Sequence, residues 1–344
     1  MKVGVVLDGR RSASEIAELA RLAEAHGFSH VWLSGGARTK DHFVRLALAA
    51  AATSRIRLGP VALSPFEMHP VHAGLALLTL DEIAPGRACL VLGAGGDLAA
   101  TLGLPARGRV EAVEECIDIV RALAAGGEVN YSGTRFQVNG LFSPWRSVRM
   151  DRLYLGANRP RMLRLAARKA DGVMVTDMPL GYLGSLIDRV RAELTAAGRD
   201  AVPFAISNWF VWNVQETREE AMRLARRGLG FRLYYIRDVA SSIGLAEAEA
   251  RELEQRQPEM LRALFRGTEP WQPAPDVADR LIGHLTLTSD RRGLPRCVER
   301  LLEFERLGCG EIALAPHGDP AAAITLIGTA VIPVVDRGRR TGVP

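Results

Sequence analysis

Cysteine is scarce. The chain of 344 residues carries four, Cys89, Cys116, Cys297 and Cys309, each alone in the sequence. None forms a C-x-x-C pair or stands near a histidine at metal-ligand spacing, so no metal centre is expected. Sparse, unpaired thiols fit a reducing, cytoplasmic setting. Long apolar runs are also missing. No stretch approaches the roughly 18 uninterrupted apolar residues a membrane helix needs, and the Ala-rich run from Leu46 to Thr53 stops at Ser54-Arg55. The opening "MKVGVVLDGRRSAS" has too short an apolar segment for a signal peptide. Aromatic residues make up only 6%, and no basic stripe is interleaved with them. The 44 basic residues are scattered among 39 acidic ones, and the densest cluster, Arg337-Gly-Arg-Arg340, reads as a solvated tail. A nucleic-acid partner is therefore not expected.

What the chain has is an ordinary globular composition, 48% apolar and 24% charged, and a regular alternation of short apolar runs with helical patterns. "VGVVLD" (3–8) reads as a buried strand. Ser12 and Glu15 form a capping-box pattern before a helix that Gly27 ends. "HVWLS" (30–34) is the second strand, and 41–54 the second helix with Asp41 as its cap. "IRLGPVAL" (56–63) is the third strand, followed by a helix over 70–83 that Pro70 opens. "ACLVLGAGG" (88–96) is the fourth strand and its loop, with a helix over 107–125. Residues 128–150 hold no strong period and read as an insertion. The alternation resumes at 152–156, helix 159–169, strand 172–176, helix 181–197 and strand 204–212, with a charged helix from about Glu216. Residues 228–293 break the rhythm a second time. Helix 295–307, strand 311–316 and a helix from about Pro320 complete the chain. Eight strands, each followed by helix, predict an α/β fold of the (β/α)8 TIM barrel type, one domain over 1–344 with insertions at about 128–150 and 228–293. A doubly wound open sheet is the alternative, but the first strand-to-helix turn, "LDGRRSAS", lacks the G-x-G-x-x-G expected there.

In such a barrel the chemistry lies at the C-terminal ends of the strands. Those ends are short of reactive side chains: Asp8, Ser34-Gly35-Gly36, Val61-Ala62, Gly93-Ala94-Gly95-Gly96-Asp97, Gly156-Ala157-Asn158-Arg159, Thr176-Asp177, Asn208-Trp209 and Pro316-His317. A rim of small residues suits a large planar ligand lying against backbone. "GAGGD" (93–97) is either a ligand loop or a plain tight turn. In "LGANRP" (155–160), Gly156 and Ala157 allow close approach, Asn158 and Arg159 carry donors, and Pro160 opens a helix whose N-terminus favours an anion; a phosphate site and a simple helix start are both open. Three prolines and a glycine interrupt "LGPVALSPFEMHP" (58–70), which marks an unusual backbone at the end of the third strand. His69 there is either a donor to a ligand or a cap and packing group. After the second strand, a ligand close enough to require glycine and a plain turn are alternative readings of Gly35-Gly36.

Taken together, "LALAAAATSRIRLGPVALSPFEMHP", "TLDEIAPGRACLVLGAGG", "LYLGANRP" and "DGVMVTD" resemble the bacterial luciferase-like superfamily. Within it, the chain is most similar to enzymes that use the deazaflavin coenzyme F420, of the methylenetetrahydromethanopterin reductase type. The resemblance runs from the first strand to the last helix and is weakest across 128–150 and 228–293. It implies a non-prolyl cis peptide at Val61-Ala62 backing the cofactor ring. It implies that Gly156, Ala157, Asn158 and Arg159 hold the cofactor phosphate, that Gly93, Ala94, Gly95 and Gly96 line the ring or tail, and that Thr176 belongs to the same lining.

The implied reaction is hydride transfer between reduced F420 and a small organic substrate. FMN with oxygen chemistry, as in luciferase-like monooxygenases, is the first alternative. A barrel that binds a flavin or a partner subunit without turnover is the second. The sequence departs from the family twice: Gly35-Gly36 stand where relatives carry a polar pair such as Asp-His, and the acid after the fourth strand is displaced to Asp97. Asp97, Ser34, Glu67 and His69 remain as candidates for proton handling, though hydride transfer also proceeds where the protein only orients its partners. Segment 228–293 is expected to cover the site, with Phe231, Tyr234, Tyr235 and Trp271 lining a pocket or forming the insertion's own core. A homodimer is compatible with the resemblance.

Overall fold

The computed structural model describes residues 1–36, 39–95, 101–104, 107–144, 150 and 152–341, with side chains as far as 336. Strands β1 (Lys2–Leu7), β2 (His30–Ser34), β3 (Arg57–Val61) and β4 (Leu90–Leu92) come first. A pair, β5 (Gly127–Ser132) and β6 (Gln137–Ser143), follows. Then come β7 (Leu153–Gly156), β8 (Gly172–Thr176), β9 (Ala205–Gln215), β10 (Thr286–Asp290) and β11 (Glu311–Pro316). Neighbours pair in parallel in the order β3-β2-β1-β11-β9-β8-β7-β4. Single bridges, Leu58 to Ala88 and Leu63 to Leu92, join the two ends. The eight parallel strands read from the sequence thus form the barrel, and the open sheet is excluded.

Side chains alternate across each strand, so residues two apart share a face. Val6, Trp32, Val61, Cys89, Val91, Tyr154, Met174 and Ala313 pack together inside the barrel. The intervening residues, among them Val5, Leu7, Val31 and Leu33, join the core between strands and helices. Both strand faces are buried, which is why the strands read as unbroken apolar runs. Trp32 and Tyr154 meet edge to face at 5.6 Å. At the N-terminal end of the barrel, buried Glu311 accepts from Lys2 Nζ at 3.2 Å and from the Tyr154 hydroxyl at 3.3 Å. Burial pushes His30, stacked on Trp32, down to about 4. This polar plug sits at the end opposite the strand termini that carry function in barrels of this type.

The helix signals behave as their chemistry requires. Ser12 Oγ accepts from Glu15 N at 3.2 Å while Glu15 accepts from Ser12 N at 2.8 Å, closing the capping box. Asp41 accepts from Val44 N at 2.8 Å. Pro70 and Pro160 open helices Pro70–Ile83 and Pro160–Lys169.

Two regions differ from the sequence reading. Residues 127–143 are not irregular: β5 and β6 form an antiparallel hairpin. Its turn is held by a buried carboxylate on helix Arg109–Ala125. Glu115 accepts from Thr134 N (2.9 Å), Thr134 Oγ1 (2.7 Å), Arg135 N (3.1 Å) and Phe136 N (2.9 Å). Segment 228–293 is mainly helical, with helix Glu247–Arg266 the longest piece, but it also contains β10. That strand pairs with the outer half of β9, Val211 to Gln215, beyond the part of β9 that pairs with β8.

Candidate active site

Extending the inner face of the barrel by one step puts Asp8, Ser34, Gly93, Gly156 and Thr176 around its C-terminal mouth. The Val61–Ala62 peptide is cis, at the position the resemblance implies. Ala62 is exposed between buried Val61 and Leu63. Val61 O accepts from Gly35 N at 3.1 Å, and Leu63 O accepts from Gly93 N at 2.8 Å. The ends of β2, β3 and β4 are thereby tied side by side. A Cβ added to Gly93 would stand 2.9 Å from the Ala62 methyl, and one added to Gly156 3.8 Å from it. Three strand ends therefore meet with nothing larger than one methyl between them. The result is a floor made of backbone.

Beside the floor, Asn158 is committed to the neighbouring strand. Its Oδ1 accepts from Thr176 N at 2.9 Å and its Nδ2 donates to Thr176 O at 3.3 Å. The side-chain amide thus joins the 156–159 loop to β8, with the second Nδ2 hydrogen left for a ligand beside the backbone. The following helix begins without a side-chain cap, so its first N–H groups are unclaimed by side chains. Arg159, with its side chain 67% exposed, donates to Asp238 at 3.4 Å and lies 5.9 Å over the Tyr235 ring.

Two of the candidates for proton handling, Ser34 and His69, already accept from backbone N–H groups. Ser34 Oγ accepts from Gly9 N at 3.2 Å. His69 is a cap: its Nδ1 accepts from Val71 N at 3.2 Å, and its ring meets Phe136 of the hairpin edge-on at 5.3 Å. Burial, then His72, lowers its proton affinity. Glu67 sits in the turn after β3, its N–H bonded to Ser64 O at 3.0 Å. Gly96 and Asp97 lie outside the described residues.

The space beside Gly35 is taken by a neighbour that the sequence reading missed. A Cβ there would fall within 2.6 Å of Cε1 of His42, so any larger residue would have to displace that ring. His42 opens helix His42–Ala51, and its Nε2 is buried with no partner among the described residues. Burial, then Arg45, keeps the imidazole below its ordinary value.

Segment 228–293 reaches the same end of the barrel. Phe231 pairs with Phe265 at 5.7 Å and Trp271 lies under Arg256 at 5.4 Å, so these two aromatics serve the insertion itself. Tyr235 instead faces Arg159, while Tyr234 is exposed. Arg232 forms an ion pair with buried Asp177, the residue after β8. Burial lifts the Asp177 carboxyl to about 6 against the pull of Arg232. His317, after β11, is pushed down to about 4 by burial and by Arg232. Asp177 and His317 were legible as strand ends. Arg232 lies 55 positions from its partner, and no local pattern announces the pairing.

Comparison with known proteins agrees with this architecture. Residues 1–311 match the family model described as luciferase-like monooxygenase. A 5,10-methylenetetrahydromethanopterin reductase of Archaeoglobus fulgidus is 27% identical over 338 residues, covering 97% of this chain and 99% of that protein. An F420-dependent glucose-6-phosphate dehydrogenase of Microbacterium testaceum is 32% identical over 201 residues, 54% of this chain and 60% of that protein. The structure of the coenzyme F420-dependent tetrahydromethanopterin reductase of Methanopyrus kandleri superimposes with a TM-score of 0.83 at 23% identity, over 97% of this chain and 99% of that one. The match to the family model covers most of the length, and the chain belongs to the luciferase-like monooxygenase family.

Proposed function

We propose that the protein is an oxidoreductase that passes a hydride between reduced coenzyme F420 and a small organic substrate. The observation that carries this reading is the backbone floor at Ala62, Gly93 and Gly156, a cradle that a single Cβ at Gly93 would overfill. A planar tricyclic ring needs such a surface, and a cluster of acid–base side chains does not. The relatives named above supply the cofactor's identity, since two of the three are F420-dependent by name. Bound there, the deazaflavin supplies two-electron, hydride chemistry.

The chain's own part is to bind, orient and shield. Val61, Ala62, Gly93, Ala94 and Gly95 back the ring. Gly156, Ala157 and Asn158 bring backbone to the phosphate, with the uncapped N-terminus of helix Pro160–Lys169 and Arg159 beside it. Thr176 is fixed next to them through Asn158. The 228–293 segment walls the mouth at β7 and β8 through Arg159 and Asp177. The whole chain acts as one barrel domain with two insertions. The substrate is a small molecule and not a nucleic acid. The four buried, unpaired thiols fit a cytoplasmic setting. A homodimer fits the exposed Val44 and Leu48, one turn apart on helix His42–Ala51.

The second reading is FMN with oxygen activation, favoured by the description of the family. Two assays separate them: oxidation of reduced F420 under argon with candidate acceptors, and oxygen uptake with reduced FMN. The first reading requires turnover in the former and none in the latter. The reverse outcome overturns it.

A further inference from the structure

Asp177 is the one non-glycine among the described residues with left-handed backbone, at φ 54°. Its N–H donates to Trp209 O at 2.9 Å. This turn aims the carboxylate at Arg232, which the 3-10 turn Leu229–Arg232 lowers onto the barrel mouth. Both side chains are nearly dry, 6% and 11% exposed. The guanidinium carries five donors. Nη1 meets Asp177, while Nε is buried and has no acceptor among the described residues. His317 lies against the same segment: its Cε1 is 2.8 Å from where a Cβ on Gly228 would be.

We propose that Arg232, with His317 beside it, is a recognition site for an oxyanion on the substrate, a carboxylate or a phosphate, which takes the guanidinium over from Asp177. The unmet Nε supplies the donor, and an oxyanion bridges Nε and an Nη in the fork geometry that guanidinium favours. The His317 imidazole is neutral at neutral pH, so it adds hydrogen-bonding capacity without a second buried charge.

The displaced carboxylate has an outlet. Burial already lifts Asp177 toward neutrality, and losing Arg232 lifts it further. The remaining groups facing it do not prevent this. Tyr235 is neutral, and Arg159 and Asp238 pair with each other. Above about pH 6, binding therefore takes up a proton from solvent on the Asp177 carboxyl, and leaves no unpaired buried charge.

This deepens the reading of the mouth as the ligand site and names a substrate class. The test is a calorimetric titration of the full chain, without cofactor, with inorganic phosphate and separately with acetate, at pH 5.5 and 7.5. The wild-type protein is expected to bind one of the two, which tells phosphate from carboxylate, and up to about tenfold more weakly per pH unit above 6. Arg232→Met should abolish the binding that weakens above pH 6, leaving only phosphate held at the start of helix Pro160–Lys169. Asp177→Asn should bind roughly tenfold more tightly at pH 7.5 and about as wild type does at pH 5.5, where the Asp177 carboxyl is already mostly protonated, a gain that misfolding cannot produce. Three results overturn the proposal: no binding by either wild type or Asp177→Asn; no gain in Asp177→Asn at pH 7.5, as a purely structural latch requires; or binding that weakens above pH 6 kept by Arg232→Met. Because no cofactor is present, a negative result removes the oxyanion site and leaves the cofactor reading standing.

Discussion

Replacing Gly156 with alanine separates the floor's role in ligand binding from its role in folding. A Cβ at this position has Val91 Cγ1 at 3.6 Å, Leu92 O at 3.7 Å and the Ala62 methyl at 3.8 Å, all ordinary contact distances. The cofactor-free protein should accept the methyl, with stability within about 0.5 kcal/mol of wild type or raised by up to about 1 kcal/mol through the stiffer unfolded chain. Any ring resting on that backbone must lift or tilt. Overpacking of this size costs about 1–3 kcal/mol, or roughly 5- to 150-fold in Kd. Gly93→Ala is the companion. There the methyl meets Ala62 Cβ at 2.9 Å, and Ala62 has no flexible end to swing away. Fold and binding should both suffer: a loss of about 1–3 kcal/mol lowers Tm by roughly 1.5–4 °C for a chain of 344 residues. Thermal melts without cofactor, then absorbance titrations with it, give both quantities. If Gly156→Ala keeps wild-type cofactor affinity, the ring does not lie on this floor.

Other outcomes follow from the hydrogen bonds. Glu115→Gln turns an amide NH2 toward one or two of the backbone N–H groups that the carboxylate accepts from, at about 1–3 kcal/mol for each donor left unmet. Burial alone would raise Glu115, but hydrogen bonds from Thr134, Phe136 and Arg135 hold it below 4.5 in the fold. The wild-type advantage over Glu115→Gln should be complete above the ordinary carboxyl value of 4.5 and shrink as pH falls below it; denaturant midpoints from pH 3 to 7 check this. Asn158→Ala removes both bonds to Thr176, at about 1–3 kcal/mol, and frees the 156–159 loop from β8. Calorimetry reads the loss, and faster amide exchange confined to that loop would mark its source.

The barrel was legible because parallel strands covered on both faces must be apolar throughout, as "VGVVL" and "GVMVT" are. The hairpin was not. It buries little beyond Val129, Val138 and Ser143, and much of the rest is exposed, so neither period dominates. In β10 only Thr286 and Leu287 are buried, too few to stand out. At the mouth, the sequence identified a rim of small residues because that depends on local residue types, and the resemblance to the family placed the cis peptide. It could not show who fills a vacant position. Gly35 looked like room for a ligand, and His42, seven residues on, occupies it. His69 could be read as a donor or as a cap, and the distance to Val71 N decides for the cap. Arg232 and Asp177 are joined by tertiary packing alone.

The most direct test of the central claim is equilibrium titration of the purified chain with F420 and, separately, with FMN, followed by absorbance. One F420 should bind per chain, saturably and more tightly than FMN, and Gly156→Ala should weaken that binding at least fivefold. Tighter binding of FMN would contradict the cofactor assignment, and no binding of either would contradict the site.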